Sequence, residues 1–163
     1  MTDAVAMAET GVVVGADGSD HGVAALRWAA RTAVAYELPL TVLYARPDAA
    51  AEPVVLAEPT GVLGEAVALA RREQPEAQVR ALQMPGAPVP SLLAAGDNAD
   101  VLVLGSRGIE GFRCLLLGST TMHVAPYAEC PVVVVHSGME GGVPFEDVDG
   151  GDGNPGQVVL GYD

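Results

Sequence analysis

A glycine-rich segment that also carries hydroxyl and arginine side chains is the part of the sequence best suited to chemistry. From position 105 it reads GSRGIEGFRCLLLGST, which gives the spacing G-x2-G-x9-G-[ST] at Gly105, Gly108, Gly118 and Ser119. Glycine permits close approach to a ligand and tight turns whose main-chain amides point inward. A helix that opens at Gly118 would add unpaired amides and a partial positive charge. The segment therefore predicts a phosphate-binding loop.

Polar side chains in the same segment could contribute to that site. The hydroxyls of Ser106, Ser119 and Thr120 can donate hydrogen bonds to phosphate oxygens, and Arg107 or Arg113 can supply positive charge. The alternative interpretation is structural: the glycines mark tight loops, and Ser119 is a helix N-cap. Spacing alone leaves both interpretations open.

Several kinds of catalytic chemistry have no support in the sequence. All eight basic residues are arginines, so the P-loop lysine and Schiff-base chemistry are excluded. His21, His123 and His136 are not spaced as metal ligands, and each is interpreted as a surface or packing residue. No G-x-S-x-G nucleophile elbow is present. A nucleotide held without an evident general base predicts slow hydrolysis at best.

The overall composition indicates a cytoplasmic protein that avoids nucleic acid and membranes. A net charge of -13 at pH 7 repels DNA, RNA and anionic lipid headgroups. The two cysteines form no C-x-x-C pair, which is typical of a reducing compartment. No apolar run approaches the roughly 20 residues that span a bilayer, and positions 1–10 do not read as a signal peptide.

Strand and helix patterns alternate along the chain, and the elements that they predict must position the glycine-rich segment. This alternation predicts an α/β fold with a doubly wound, five-stranded parallel sheet and helices on both faces. Residues 48–59, rich in Ala, Pro and Glu, predict a loop. The predicted strands cover 12–14, 40–45, 78–84, 101–104 and 132–135, and the predicted helices cover 20–37, 61–73, 88–96 and 118–127.

The chain divides into one main domain and two unusual ends. Residues 1–10 are predicted to be a tail, 11–136 the domain, and 137–156 an acidic glycine-rich linker. The closing residues 157–163 read QVVLGYD and match GVVVGAD at 11–17 in four positions. We interpret them as the first strand of a second repeat. The alternative is a chance match, because many strands read V-V-x-G.

Taken together, these motifs resemble the ATP-binding branch of the universal stress protein family. The resemblance rests on the glycine signature, on GVVVGADGS at the first strand, on GAPVPSLL before the third helix, and on CPVVVVH at the last strand. It covers roughly residues 11–136. It implies strand order 3-2-1-4-5, so that the turn at Asp17 and the loop at Gly105 face each other across one crevice.

The resemblance also implies a ligand and a role for each matching residue. The ligand would be ATP, with Mg²⁺ as an accompanying cation. Asp17 would lie near the adenosine, Ala45 would line the adenine pocket and Leu104 would border the base or ribose. Asp17 has a second interpretation, as a turn former that caps the first helix. The phosphates would be held by Gly105, Arg107, Gly108, Gly118, Ser119 and Thr120.

The predicted function is an ATP-binding regulator of the stress response with little or slow hydrolysis. The family resemblance implies a homodimer through the last strand, or pairing of that strand with a second repeat. Tyr44 departs from the family pattern, in which a histidine is frequent at this position, so part of the pocket wall is expected to differ. Two alternatives stay open: a dimerisation scaffold of the same fold that binds no nucleotide, and a slow nucleotide hydrolase.

Overall fold

The computed structural model describes residues 11–48, 52–106 and 118–136, together with the backbone of Val158–Leu160. The α/β class predicted from the sequence is confirmed. The strands are β1 (Val12–Gly15), β2 (Leu40–Arg46), β3 (Val54–Leu56), β4 (Val79–Pro85), β5 (Val101–Gly105), β6 (Val132–Val135) and β7 (Val158–Leu160). The helices are α1 (Asp20–Ala35), α2 (Gly61–Glu73), α3 (Pro88–Gly96) and α4 (Ser119–Val124).

One sheet contains all these strands, in the order β3-β4-β2-β1-β5-β6-β7. β1 lies between β2 and β5 and pairs in parallel with both, with Val12 opposite Leu40 on one side and Val101 on the other. The pairs β2 with β4, β5 with β6 and β6 with β7 are also parallel. Only β3 runs antiparallel, along the outer edge of β4, among the described strands.

The prediction of five parallel strands is wrong in number, because the sheet has seven strands. The five strands predicted from sequence lie consecutively as β4-β2-β1-β5-β6, and β3 and β7 add one strand at each side. β3 falls in the segment predicted to be a loop. It is three residues long, and Val54 and Val55 are 39% and 43% exposed, so it has no buried face that would leave an alternating pattern.

The hydrophobic core has two halves, one on each face of the sheet. Side chains of α1 and α2 pack on one face, and those of α3 and α4 pack on the other. β1 contributes to both halves, since Val12 and Val14 face α1 while Val13 faces the opposite side. A strand buried on both faces reads as a continuous apolar run, as VVV does here.

The helix ends follow from identifiable residues. Ser19 is the N-cap of α1, and its Oγ accepts a hydrogen bond from the Gly22 amide at 3.1 Å. α1 ends at Ala35, before the predicted boundary at 37, where Glu37 takes a left-handed φ of 55°. α4 ends at Val124, and hydrogen-bonded turns continue to Ala128. No helix in the described part of the chain is long and apolar enough to cross a membrane.

Candidate functional site

A crevice is expected where the direction of winding reverses. The chain leaves β1 through α1 on one face of the sheet, and it leaves β4 through α3 on the opposite face before entering β5. β1 and β5 are neighbours, so Gly15 and Gly105 end at the same edge. Ligands of open α/β sheets bind outside the carboxyl ends of the strands at such a reversal.

The corner after β1 is built around Asp17. Its Oδ1 accepts hydrogen bonds from the Ser19 amide at 2.9 Å and from the Ser19 hydroxyl at 2.6 Å. Gly18 lies between them with a φ of 79°, a value that favours glycine. The role of Asp17 as a turn former is therefore present in the structure. Its expected position beside adenosine stays a prediction.

Gly22 is a residue of this corner that sequence reasoning missed. A Cβ at Gly22 would lie 2.5 Å from Asp17 Oδ1 and 3.3 Å from Ser19 Oγ. Only glycine leaves room for the carboxylate to turn back over the first turn of α1. The spacing D-x-S-x-x-G from Asp17 could have indicated this requirement.

The corner after β5 depends on Gly105 for the packing of α1. A Cβ there would lie 2.7 Å from the carbonyl carbon of His21 and 2.9 Å from the Gly22 nitrogen. The main chain of α1 occupies the space that a side chain at position 105 would need, and the predicted approach of a ligand to Gly105 stays a prediction. Glycine is thus required at position 105 by helix packing, and the two corners are in direct contact.

Ser106 connects this corner to its surroundings. Its hydroxyl is 3.0 Å from Nδ1 of His21, and the residue is fully buried. Its amide donates to the Val135 carbonyl at 2.8 Å, and its carbonyl accepts from the Gly118 amide at 2.5 Å. His21 is the partner of this hydroxyl in the structure, and the predicted hydrogen bond from Ser106 to phosphate stays a prediction. His21 itself is more than a surface or packing residue.

The start of α4 meets the end of β5 through two hydrogen bonds. One is the bond from the Gly118 amide to Ser106, and the other runs from Thr121 Oγ1 to the Gly105 carbonyl at 3.0 Å. Ser119 is exposed and Thr120 is half-buried, so both are open to solvent near this junction. Three of the predicted phosphate-binding residues, Gly118, Ser119 and Thr120, therefore lie beside the end of β5, at the edge where the crevice is expected.

The residues expected around the base lie close to the same edge. Ala45 is half-buried near the end of β2, and Leu104 is 4% exposed in the core on the α3 and α4 side. Leu104 Cδ2 would be 3.3 Å from a Cβ at Gly15, which places it under the end of β1. The expected contacts of Ala45 and Leu104 with a base stay predictions. Arg107 and Gly108 lie outside the described residues.

Charged groups at the described part of the crevice are few. Asp17 and Asp20 stand at the start of α1, and Asp20 is exposed. Within residues 11–48, 52–106 and 118–136, no group of three or more His, Cys, Asp and Glu side chains could hold a metal ion. The described residues at this edge offer main-chain amides, hydroxyl groups and the carboxylates of Asp17 and Asp20.

Comparison with known proteins places this architecture in a family. Residues 10–136 match the family model described as "Universal stress protein family". A universal stress protein of Mycolicibacterium smegmatis is 31% identical over 147 residues, which are 78% of this chain and 48% of that protein. Another, of Mycobacterium bovis, is 35% identical over 141 residues, again 78% and 48%. The chain thus spans about half the length of the curated relatives it matches.

Solved structures give the same result. A universal stress protein crystallised in complex with cAMP is 31% identical, with a TM-score of 0.63 over 79% of this chain and 97% of that one. A universal stress protein from Archaeoglobus fulgidus is 23% identical, with a TM-score of 0.60 over 77% and 98%, and supports the fold alone. The chain therefore belongs to the universal stress protein family.

Proposed function

We propose that this domain binds an adenine nucleotide, ATP in the first place, and works as a stress-response regulator with little or slow hydrolysis. The observation that carries the proposal is the junction of three elements at the winding reversal. The corner at Asp17, the end of β5 and the start of α4 are hydrogen-bonded into one edge. The relative of 31% identity that was solved with cAMP adds support.

In this proposal the phosphates are held mainly by main-chain donors. We expect the main-chain amides at Gly105, Gly118 and Ser119, together with Arg107 and Gly108, to take the place of a lysine. Asp17 would face the ribose, and Ala45 and Leu104 would approach the base. Mg²⁺ would arrive with the phosphates, and Asp17 is the nearest candidate carboxylate. No residue in this set is an evident general base, which is the reason to expect slow turnover.

Calorimetric titration with ATP, ADP and cAMP tests the proposal. We expect saturable binding of one ATP per domain with a Kd of about 1 to 100 µM. Asp17→Ala should weaken binding about fivefold or more, because it removes the carboxylate and loosens the turn. Asp17→Asn keeps the oxygen that accepts from Ser19 and serves as the control for the turn.

Each rival has its own outcome in this experiment. No binding of any of the three nucleotides at millimolar concentration would leave the dimerisation scaffold as the function. Sustained ATP turnover that is lost in Gly118→Arg would indicate the slow nucleotide hydrolase instead. Equal affinity in wild type, Asp17→Ala and Asp17→Asn would remove Asp17 from the site.

We also propose that the domain assembles along the β6 side of its sheet, as a homodimer or by pairing with a second repeat in a longer chain. Two observations support this. The curated relatives are about twice as long as this chain, and Val158–Leu160 adds as a parallel strand beside β6. The proposed location is the cytoplasm, from the thiol content and the charge.

A further inference from the structure

One side-chain hydrogen bond links the two corners of the crevice. Nδ1 of His21, in the first turn of α1, lies 3.0 Å from the Ser106 hydroxyl just after β5. Main-chain bonds also tie Ser106 to Val135 at the end of β6 and to Gly118 at the start of α4. Ser106 is thus a junction among α1, β6 and α4.

A serine that contacts a histidine suggests a nucleophile and its base, but the burial of Ser106 argues against this role. The residue is 0% exposed, whereas a nucleophile has to be reached by its substrate. Buried hydroxyl groups in proteins normally form a hydrogen bond, and the Ser106 hydroxyl forms its hydrogen bond with the imidazole of His21. The pair is better explained as a positioning device.

We propose that the His21–Ser106 hydrogen bond is a latch that fixes the spacing between the Asp17 corner and the end of β5, and so sets the affinity for nucleotide. The inference rests on the proposed function. Asp17 and Ser19 lie just before His21, and Gly105, the last residue of β5, lies just before Ser106. Holding main-chain donors in the bound arrangement before the ligand arrives lowers the ordering cost of binding.

Packing alone does not fix the spacing between the two corners. Gly105 rests against the main chain of His21 and Gly22, but this contact is steric and resists only closer approach. A hydrogen bond also has a preferred length and direction, so it opposes separation and sliding. The His21–Ser106 hydrogen bond therefore resists separation and sliding of the two corners, which the steric contact at Gly105 does not.

The chemistry of the latch predicts which substitutions keep it. A neutral imidazole can accept the hydroxyl proton at Nδ1, and a protonated Nδ1 can donate to the hydroxyl oxygen. Asparagine carries an amide atom at the same bond distance from Cβ as Nδ1, so His21→Asn can keep the contact. His21→Leu fills a similar volume without a polar atom.

A double-mutant cycle on ATP affinity tests the latch in the full chain. We expect Ser106→Ala and His21→Leu each to raise the Kd for ATP about five- to tenfold, and the double variant to be no weaker than the weaker single variant. His21→Asn should return the Kd to within about threefold of wild type. A general loss of stability would explain neither non-additive effects on the Kd nor the recovery of affinity in His21→Asn.

Ser91 offers a matched control at the same edge of the sheet. It is another buried serine, 3% exposed, and its hydroxyl donates to the Pro85 carbonyl at 3.2 Å. Ser91→Ala should lower the melting temperature about as much as Ser106→Ala, yet change the Kd for ATP by less than about twofold.

Two results would overturn the latch, and they differ from each other. In the first, wild type binds ATP, but the effects of Ser106→Ala and His21→Leu on the Kd are additive, or His21→Asn does not restore the affinity. The latch is then wrong, while nucleotide binding stands. If wild type binds no adenine nucleotide, the proposed function falls and the latch falls with it.

Discussion

The missing side chain at Gly105 lets the end of β5 lie against the first turn of α1. A Cβ at this position would meet three main-chain atoms of His21 and Gly22 at 2.7 to 2.9 Å. Main-chain atoms at a helix start cannot move aside as the tip of a flexible side chain can. The crevice therefore has a wall that depends on a single glycine.

We expect Gly105→Ala to lower the free energy of unfolding by about 1 to 3 kcal/mol, because the methyl group overpacks the junction. Gly96→Ala is the matched control. Its added Cβ would be 3.4 Å from Cys130 Sγ, an ordinary contact, and its effect should stay within about 1 kcal/mol. Urea unfolding measures the free energy of unfolding of both variants. Equal decreases in the two variants would show that the contact of Gly105 with α1 does not exclude a side chain.

Cys130 gives a pH-dependent prediction. Burial raises the pKa of its thiol, and a charge interaction with Asp97 adds to the increase. The folded protein therefore favours the neutral thiol, and the stabilisation is present below the ordinary thiol pKa. It is lost as the pH rises toward the raised value, since the unfolded thiol ionises first.

Thermal unfolding across the alkaline range measures this effect in a Cys114→Ser background. The variant that also carries Cys130→Ala lacks the group, so its stability should fall less steeply with pH. We also expect slow alkylation of Cys130 in the native protein and fast alkylation after unfolding. Parallel stability curves with and without Cys130 would contradict the prediction.

At the scale of single residues, the sequence could locate the glycines and Asp17 but not the latch. Asp17 and Ser19 interact two positions apart, so a local pattern can suggest their turn. His21 and Ser106 are 85 positions apart and meet only because β1 and β5 are neighbours. Without that pairing, His21 carries no signal that separates it from any other helix residue.

At the scale of elements, the strands and helices with a buried face were predictable and the others were not. α2 begins and ends at the predicted residues, since Leu63, Val67 and Ala70 recur on one buried side. β3 was missed because it is three residues long and mostly exposed, and it pairs with β4 at the outer edge of the sheet. Such edge strands depend on a neighbour that local sequence does not reveal.

β7 provides a prediction about assembly. It lies along β6, and residues 132–135 are all buried. Truncation after residue 156 would leave the edge of β6 unpaired, and an unpaired apolar edge invites another strand. We therefore expect the truncated chain to dimerise more strongly than the full chain in analytical ultracentrifugation. Replacing 157–163 by a glycine-serine segment controls for length, and an unchanged mass would contradict the prediction.

At the scale of the whole molecule, an acidic protein is proposed to hold an anionic ligand. The net charge is -13, so long-range attraction cannot guide a nucleotide to the site. Recognition has to come from donors fixed within the crevice, which explains why the hydrogen-bonded junction at Ser106 is central to the account.

Adenine nucleotide is proposed to bind at the carboxyl edge of β1 and β5. The most direct test is a titration of ¹⁵N-labelled protein with ATP, followed by amide chemical shifts. We expect saturable shifts at Ser19, Ser106 and Gly118, with little change at Gly11 and Asp100, which lie before the opposite ends of β1 and β5. Shifts confined to that opposite edge, or no shifts at millimolar ATP, would contradict it.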